Sequence, residues 1–281
     1  MTEPRLSRRN YGRGHGYRLD GRRIPGVTTI QGLLDKPGLI DWAAREAAGY
    51  AIENWSELSG VPLLERAERI RRARFEKNAA AKLSGTKIHH YGHQLALGRR
   101  VDVPVEYVPS AEAYARLLDR LDLTVELAEA PCASTTYGYG GTLDLIGTSP
   151  RTGRAIVDLK TGRGVYQDTA LQVNAYGACD IVQRVEEGPR GPRGGKPKHP
   201  KITELPMGHF DTAWIIHVRG DTAEMYPCRL SDRDEVAFLS LLELWRTWLE
   251  PSRNSDADEF DPPVGEPVDL DEWDQPTEEE N

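Results

Sequence analysis

The chain has 281 residues, an ordinary 38% hydrophobic content and a formal net charge of −8. That length supports a sizeable core, and no run approaches the roughly 18 consecutive apolar residues of a membrane span, so no membrane role is expected. Arg5, Arg8 and Arg9 lead into no apolar segment, and Cys132, Cys179 and Cys228 are sparse and widely spaced; both point to a cytoplasmic protein with reduced thiols rather than a secreted disulfide scaffold.

The charge is unevenly placed. Residues 256–281 hold twelve acids and no base, which leaves a net +4 on residues 1–255. A mildly basic body with an acidic appendage suits a polyanion-binding protein, although a solubilising tail explains the run equally well.

In chain order, Asp20-Gly21 lies between two short strand-like runs and predicts a small hairpin. Pro25-Gly26 then breaks the chain before Val27-Thr28-Thr29-Ile30. Leu39, Trp42, Ala43 and Ala47 recur at three- and four-residue spacing and predict a helix from Pro37 to about Trp55. A second helix is expected from Leu63 to Lys82, with Arg66, Arg69, Arg71, Arg72, Arg74 and Lys77. Those cations recur on more than one side, so a solvated face and contact with a DNA backbone both stay open. Ser84-Gly85 separates this helix from a third, Thr86 to Leu97, and a fourth spans Ala111 to Leu121.

Strand signals follow at Thr124–Cys132, Tyr139–Ile146 and Ala155–Leu159, read as three consecutive antiparallel strands. Asp168 to Val182 reads as a helix with Asp168 as its N-cap. Glu187 to Pro200 is rich in Gly, Pro, Arg and Lys and reads as a mobile basic loop. Two more strands, His209–Val218 and Glu224–Cys228, precede a helix from Ser231 to Leu249 capped by Ser231. Trp214, Trp245 and Trp248 fall in apolar patterns and are assigned to the core. Beyond Pro251 the chain is acidic and is expected to be disordered.

The chemistry concentrates in the second and third of those strands. A hairpin centred on Arg151 places Asp144 directly opposite Asp158, because each lies seven residues from the centre. Directly opposed residues share a face with Cβ atoms roughly 4.5–5.5 Å apart, and Lys160, two residues on, shares it too. A hard divalent cation takes one or two carboxylates and completes its shell with phosphate and water. Lys160 beside it could orient or help deprotonate an attacking water, and the Leu159 carbonyl could add a ligand. A hairpin whose Asp and Lys face solvent is the competing reading.

Other residues bear on that choice. Gln172 and Tyr176, four apart on one helix, share a face. His89 lies about one turn into the Thr86–Leu97 helix, and Glu129 lies in the strand before the hairpin. Adjacent helical positions point in different directions, so His89 is expected inward, with His90 and His93 elsewhere and no zinc site.

The ordered series Gly85-Thr86-x-Ile88-His89, Glu129, Gly141-Thr142-Leu143-Asp144, Asp158-Leu159-Lys160 and Gln172-x-x-x-Tyr176 resembles the PD-(D/E)XK nucleases. More narrowly it is similar to the branch that includes RecB nuclease domains and Cas4-like exonucleases, phage members among them. The resemblance spans about Val27 to Cys228. It implies a restriction-endonuclease-like α/β core: a mixed central sheet flanked by helices, with a helical N-terminal part.

It also implies a metal site of His89, Asp144, Asp158 and the Leu159 carbonyl, loaded with Mg²⁺ or Mn²⁺. Lys160 becomes the catalytic lysine, Gln172 and Tyr176 position DNA and the catalytic centre, and Glu129 matches an accessory acid, with Glu126 competing for that place. Many relatives of that branch hold an iron–sulfur cluster on four cysteines; three unclustered cysteines make none expected here, and Cys179 is assigned to the core.

The expected division is an N-terminal arm over 1–26, the nuclease domain over 27–251 and an acidic tail over 252–281. The expected activity is metal-dependent hydrolysis of DNA phosphodiesters, by an exonuclease serving recombination, repair or phage DNA processing. No GxxxxGK[ST] loop occurs, so a helicase or recombinase partner would be a separate chain. The alternative is a non-catalytic DNA-binding subunit of a recombination complex that keeps the fold.

Overall fold

The computed structural model describes residues 4–11, 14–186 and 200–249. The expected basic loop and acidic tail therefore lie outside the described residues, apart from Pro200 and Lys201 beside the loop. The chain begins with a small antiparallel sheet, β1 (Leu6–Tyr11), β2 (Gly14–Leu19) and β3 (Arg22–Ile24). The expected turn joins β2 to β3, with Asp20 and Gly21 both at positive φ (48° and 78°). A two-residue hairpin needs that conformation, and Asp-Gly supplies it at low cost.

Helices follow as α1 (Val27–Gln31), α2 (Pro37–Glu53), α3 (Trp55–Leu58), α4 (Leu63–Ala96) and α5 (Val108–Arg120). The sequence predicted two helices where α4 runs as one of 34 residues, straight through Ser84-Gly85. Gly85 is tolerated mid-helix because the chain after β6 passes close to it. A Cβ there would stand 2.8 Å from Thr161 Oγ1, so the glycine serves a close approach and not a break.

The arginines on α4 are largely matched by carboxylates. Arg69 pairs with Glu57 and Glu65, Arg71 and Arg72 with Glu68, and Lys77 with Glu46. Arg66 donates to the Ser59 and Val61 carbonyls and lies over Trp55. That pattern favours a self-neutralised surface over a dedicated phosphate stripe.

The main sheet has seven strands in the order β10-β9-β6-β5-β4-β7-β8. They are β4 (Thr124–Ser134), β5 (Tyr139–Ser149), β6 (Gly153–Lys160), β7 (Ile181–Glu186), β8 (Lys201–Pro206), β9 (Thr212–Arg219) and β10 (Thr222–Cys228). All neighbours are antiparallel except β6 and β9, so the sheet is mixed. β6 is interior, not an edge strand.

The helix α6 (Asp168–Gly177) is shorter than expected. Gly177 and Asp180 intervene, and the β-branched Ile181 and Val182 join β7, paired to both β4 and β8. Asp168 is not the N-cap: it sits in the first turn and pairs with Lys36 at 2.8 Å. The helix α7 (Asp232–Leu244) is capped as expected, with Ser231 Oγ accepting from the Asp234 N–H, and a π-helical turn, Trp245–Leu249, extends it.

Helices cover both faces of the sheet. On one, Val27 and Ile30 of α1, Val173 and Tyr176 of α6, and Phe238 and Leu242 of α7 pack onto Leu143, Ile146, Ile156 and Ile215. On the other, Tyr114 and Leu118 of α5 and Ile88 of α4 pack onto Leu145, Val157, Leu159 and Ile216. Each buried aliphatic side chain contributes about 1.5–3 kcal/mol by leaving water. Cys132 and Cys179 lie in the first core, and Trp214 and Trp245 pack inward. Trp248 departs from expectation: it is 58% exposed, because the wider π-turn rotates it off the face that Trp245 buries. Among the described residues no helix is long and apolar enough to cross a membrane.

Candidate active site

The hairpin register is the one the spacing predicts. Ser149 pairs with Gly153 and the ladder runs to Leu145 against Val157, which places Asp144 and Asp158 at the next opposed positions. There the backbone pairing gives way to the side chain: the Leu159 N–H donates to Asp144 Oδ2 at 2.7 Å. On the other side of β6, Asp158 and Lys160 are held in parallel register against Ile215 and His217 of β9.

Asp158 is 2% exposed. Lys160 Nζ forms an ion pair with its Oδ2 at 2.6 Å, and no further donor reaches either carboxylate oxygen. Burial pushes the Asp158 carboxyl above the usual range and the nearby Asp144 charge adds to this, with Lys160 and His89 only partly opposing. Asp144 goes the other way. Burial disfavours its charge, but His89, His93 and Lys160 outweigh that and hold it low. Two like charges in one buried space separate in this manner, one ionised and one resisting ionisation.

The other expected residues gather around this pair. His89 Nδ1 lies 3.3 Å from Asp144 Oδ1. Burial works against its charge, but Asp144 and Asp158 prevail and raise its pKa despite Lys160. Lys160 Nζ donates to Gln172 Oε1 at 3.1 Å, and Gln172 Nε2 donates to Tyr176 Oη at 3.3 Å. The i, i+4 pair of α6 thus forms a relay onto the lysine. Gly141 makes room for it, since a Cβ there would overlap the Tyr176 ring.

Two acids were open for the accessory place, and the geometry separates them. Glu129 lies between the pairs Ala128–Leu145 and Ala130–Leu143, at the position facing Asp144, with an unusual positive φ of 50°. Its Oε1 meets His93 Nδ1 at 3.2 Å, and this contact is the main reason its pKa is lowered. Glu126 is engaged elsewhere, accepting from Thr148 Oγ1 and from Arg154 Nε.

The expectation that only His89 points inward is corrected by His93, which is 1% exposed and lies edge-on to both His89 and Tyr114. Residues 89 and 93 are four apart on α4, so the spacing that joins Gln172 to Tyr176 should have joined them as well. His90 is exposed. Tyr114 had no sequence signal. Its hydroxyl is buried without a hydrogen-bond partner, against the underside of the site, where a Cβ on Gly92 would come within 2.6 Å of its ring.

Among the described residues no three His, Cys, Asp or Glu side chains are gathered into a metal cage. The expected convergence of His89, Asp144 and Asp158 is therefore not preformed. Asp158 is instead met by the Lys160 ammonium and Asp144 by the His89 imidazole. The donor chemistry still fits a hard ion held by one or two carboxylates and completed by phosphate and water. The buried oxygens of Asp158, which no donor beyond Lys160 reaches, are the observation behind that fit. Beside Lys160 and Gln172 opens a cavity of about 310 Å³, also lined by Lys36, Tyr166 and Asp168.

No family model matches the chain, and no curated protein matches it.

Proposed function

We propose that this chain is a divalent-metal-dependent DNA nuclease that hydrolyses phosphodiester bonds, with a restriction-endonuclease-like PD-(D/E)XK core. The observation that carries the reading is Asp158: a buried carboxylate met only by the Lys160 ammonium, one strand from Asp144. Burying a carboxylate costs several kcal/mol that one lysine offsets only in part, a cost that a site for a cation explains and a packing role does not. Asp158 and Asp144 would hold Mg²⁺ or Mn²⁺, with His89 and the Leu159 carbonyl at its margin; an imidazole beside carboxylates favours Mn²⁺. When bound, the ion polarises the phosphoryl group and stabilises the charge that develops on it.

The remaining steps belong to the protein. Lys160, released from Asp158, orients the attacking water. Gln172, braced by Tyr176, keeps the ammonium from swinging out of line. Glu129 and His93 support the Asp144 side of the site. The resemblance of the motif series to RecB and Cas4-like enzymes supports an exonuclease acting in recombination, repair or phage DNA processing, with any helicase or recombinase a separate chain.

End-labelled linear DNA and closed circular DNA, incubated with Mg²⁺ or Mn²⁺ and then with EDTA, test this reading. Cutting is expected on linear DNA alone, only with metal, and to fall by about 10²–10⁴-fold in Lys160→Ala. Cutting that survives chelation or that substitution removes the proposed site. A second reading, a non-catalytic DNA-binding subunit, draws on the Lys160 and His89 contacts that already occupy the two carboxylates. It predicts DNA binding with no cleavage at any metal concentration.

A further inference from the structure

We infer that the outward face of the β1–β3 sheet is a docking surface for the phosphate backbone of duplex DNA, a step that rests on the DNA-nuclease reading. Leu6, Tyr17, Leu19 and Ile24 turn one face of this sheet into the protein. Strand alternation then puts Ser7, Arg9, Gly16, Arg18 and Arg23 on the other. All three arginines are exposed, as are Arg8 and Arg22 at the rim.

Arg18 and Arg23 are direct cross-strand partners. Like charges in that position are destabilising. Arg9 pairs with Gly16, so it is the diagonal neighbour of Arg18, roughly 7–8 Å away.

This face concentrates exposed arginines and has no counter-charge of its own. Outside the small sheet some arginines, Arg69, Arg71, Arg72 and Arg154 among them, meet a carboxylate. Among the described residues of the small sheet the one acid, Asp20, is taken by Arg5. Arg18 donates only to the Gly21 carbonyl. Arg8, Arg9, Arg18, Arg22 and Arg23 therefore stand together on one small ribbon with no carboxylate partner among the described residues. That arrangement needs an anion from outside, and a row of phosphates supplies repeated ones.

The ribbon is fixed relative to the site. Tyr17 Oη and Thr142 Oγ1 are 2.9 Å apart, two residues before Asp144 on β5. The Gly140 N–H donates to the Pro25 carbonyl at 3.0 Å, and Gln183 Nε2 to the Leu6 carbonyl at 2.6 Å. Duplex gripped here is therefore held at a set distance from the cleaved bond.

The test is fluorescence anisotropy of the full-length protein on a labelled 30-base-pair duplex in EDTA, over a salt series. The proteins are the wild type and the triple substitution Arg9→Ala, Arg18→Ala, Arg23→Ala. The log affinity against log salt slope should flatten by about 0.9 for each arginine. Affinity at low salt should fall by at least tenfold, with the melting temperature unchanged or higher because a like-charge pair is gone. An unchanged slope overturns the proposal, including the case in which the face engages an acidic polypeptide instead. Cleavage separates the two readings: loss of slope in a protein that never cuts DNA with Mn²⁺ leaves the surface standing and removes the nuclease. Normal cutting with an unaltered slope does the reverse.

Discussion

At the scale of single residues, Asp158 sets function against stability. Its folded-state pKa is raised by burial and by Asp144. A raised carboxyl adds stability only below the unfolded pKa and loses it as pH rises through the folded value. At neutral pH the metal-free protein therefore carries a penalty at this position. Asp158→Asn should raise stability by about 1–3 kcal/mol at pH 7–8, while Lys160 keeps its bond to Gln172. The gain should shrink as pH falls and vanish below about pH 3, where the aspartate is protonated in both states, and cleavage should be lost at every pH. Urea unfolding of the two proteins across that range checks it; a gain that persists at low pH would mean that packing, and not charge, is responsible.

The elements show which parts of this arrangement can be read from sequence. Gly141 lies where β5 passes under α6. Gly141→Ala should push Tyr176 off Gln172, costing about 1–3 kcal/mol by overpacking and slowing cleavage more than it weakens DNA binding. Retained activity with an unchanged melting temperature would contradict that packing. The Asp144–Asp158 register was legible because hairpin pairing is set by symmetric spacing about a turn, and Gln172 with Tyr176 because a helix repeats its face every four residues. His93 obeys the same rule, one turn after His89 on the inward face, and only His90, the adjacent position, points away.

The merger of two helices at Gly85 and the early end of α6 could not be read locally. In both cases tertiary contact decides, through the approach of Thr161 to α4 and the capture of Ile181 and Val182 by β4 and β8. Tyr114 reaches the site from a helix whose sequence signals only an apolar face, and nothing in its spacing marks it.

For the whole molecule, charge is the organising quantity. Residues 256–281 carry twelve acids against a body of net +4. These opposite charges act over a Debye length of about 30 Å at 0.01 M salt and about 3 Å at 1 M. A chain ending at Ser255 should therefore bind duplex DNA more tightly than the full chain at low salt, with the difference gone at high salt. Stopped-flow association rates follow this directly, and identical rates at 0.01 M would show that the acidic residues do not restrain the basic body.

The proposed catalysis depends on one exchange, in which a divalent ion takes the place now held by Lys160 against Asp158. A crystal structure of the protein soaked in Mn²⁺, read by anomalous scattering, tests it most directly. The expected result is a single ion at about 2.0–2.2 Å from oxygens of Asp144 and Asp158, with Lys160 Nζ moved off Asp158 Oδ2 and still bonded to Gln172. An intact Lys160–Asp158 pair with no ion between the two aspartates at saturating Mn²⁺ would contradict the account.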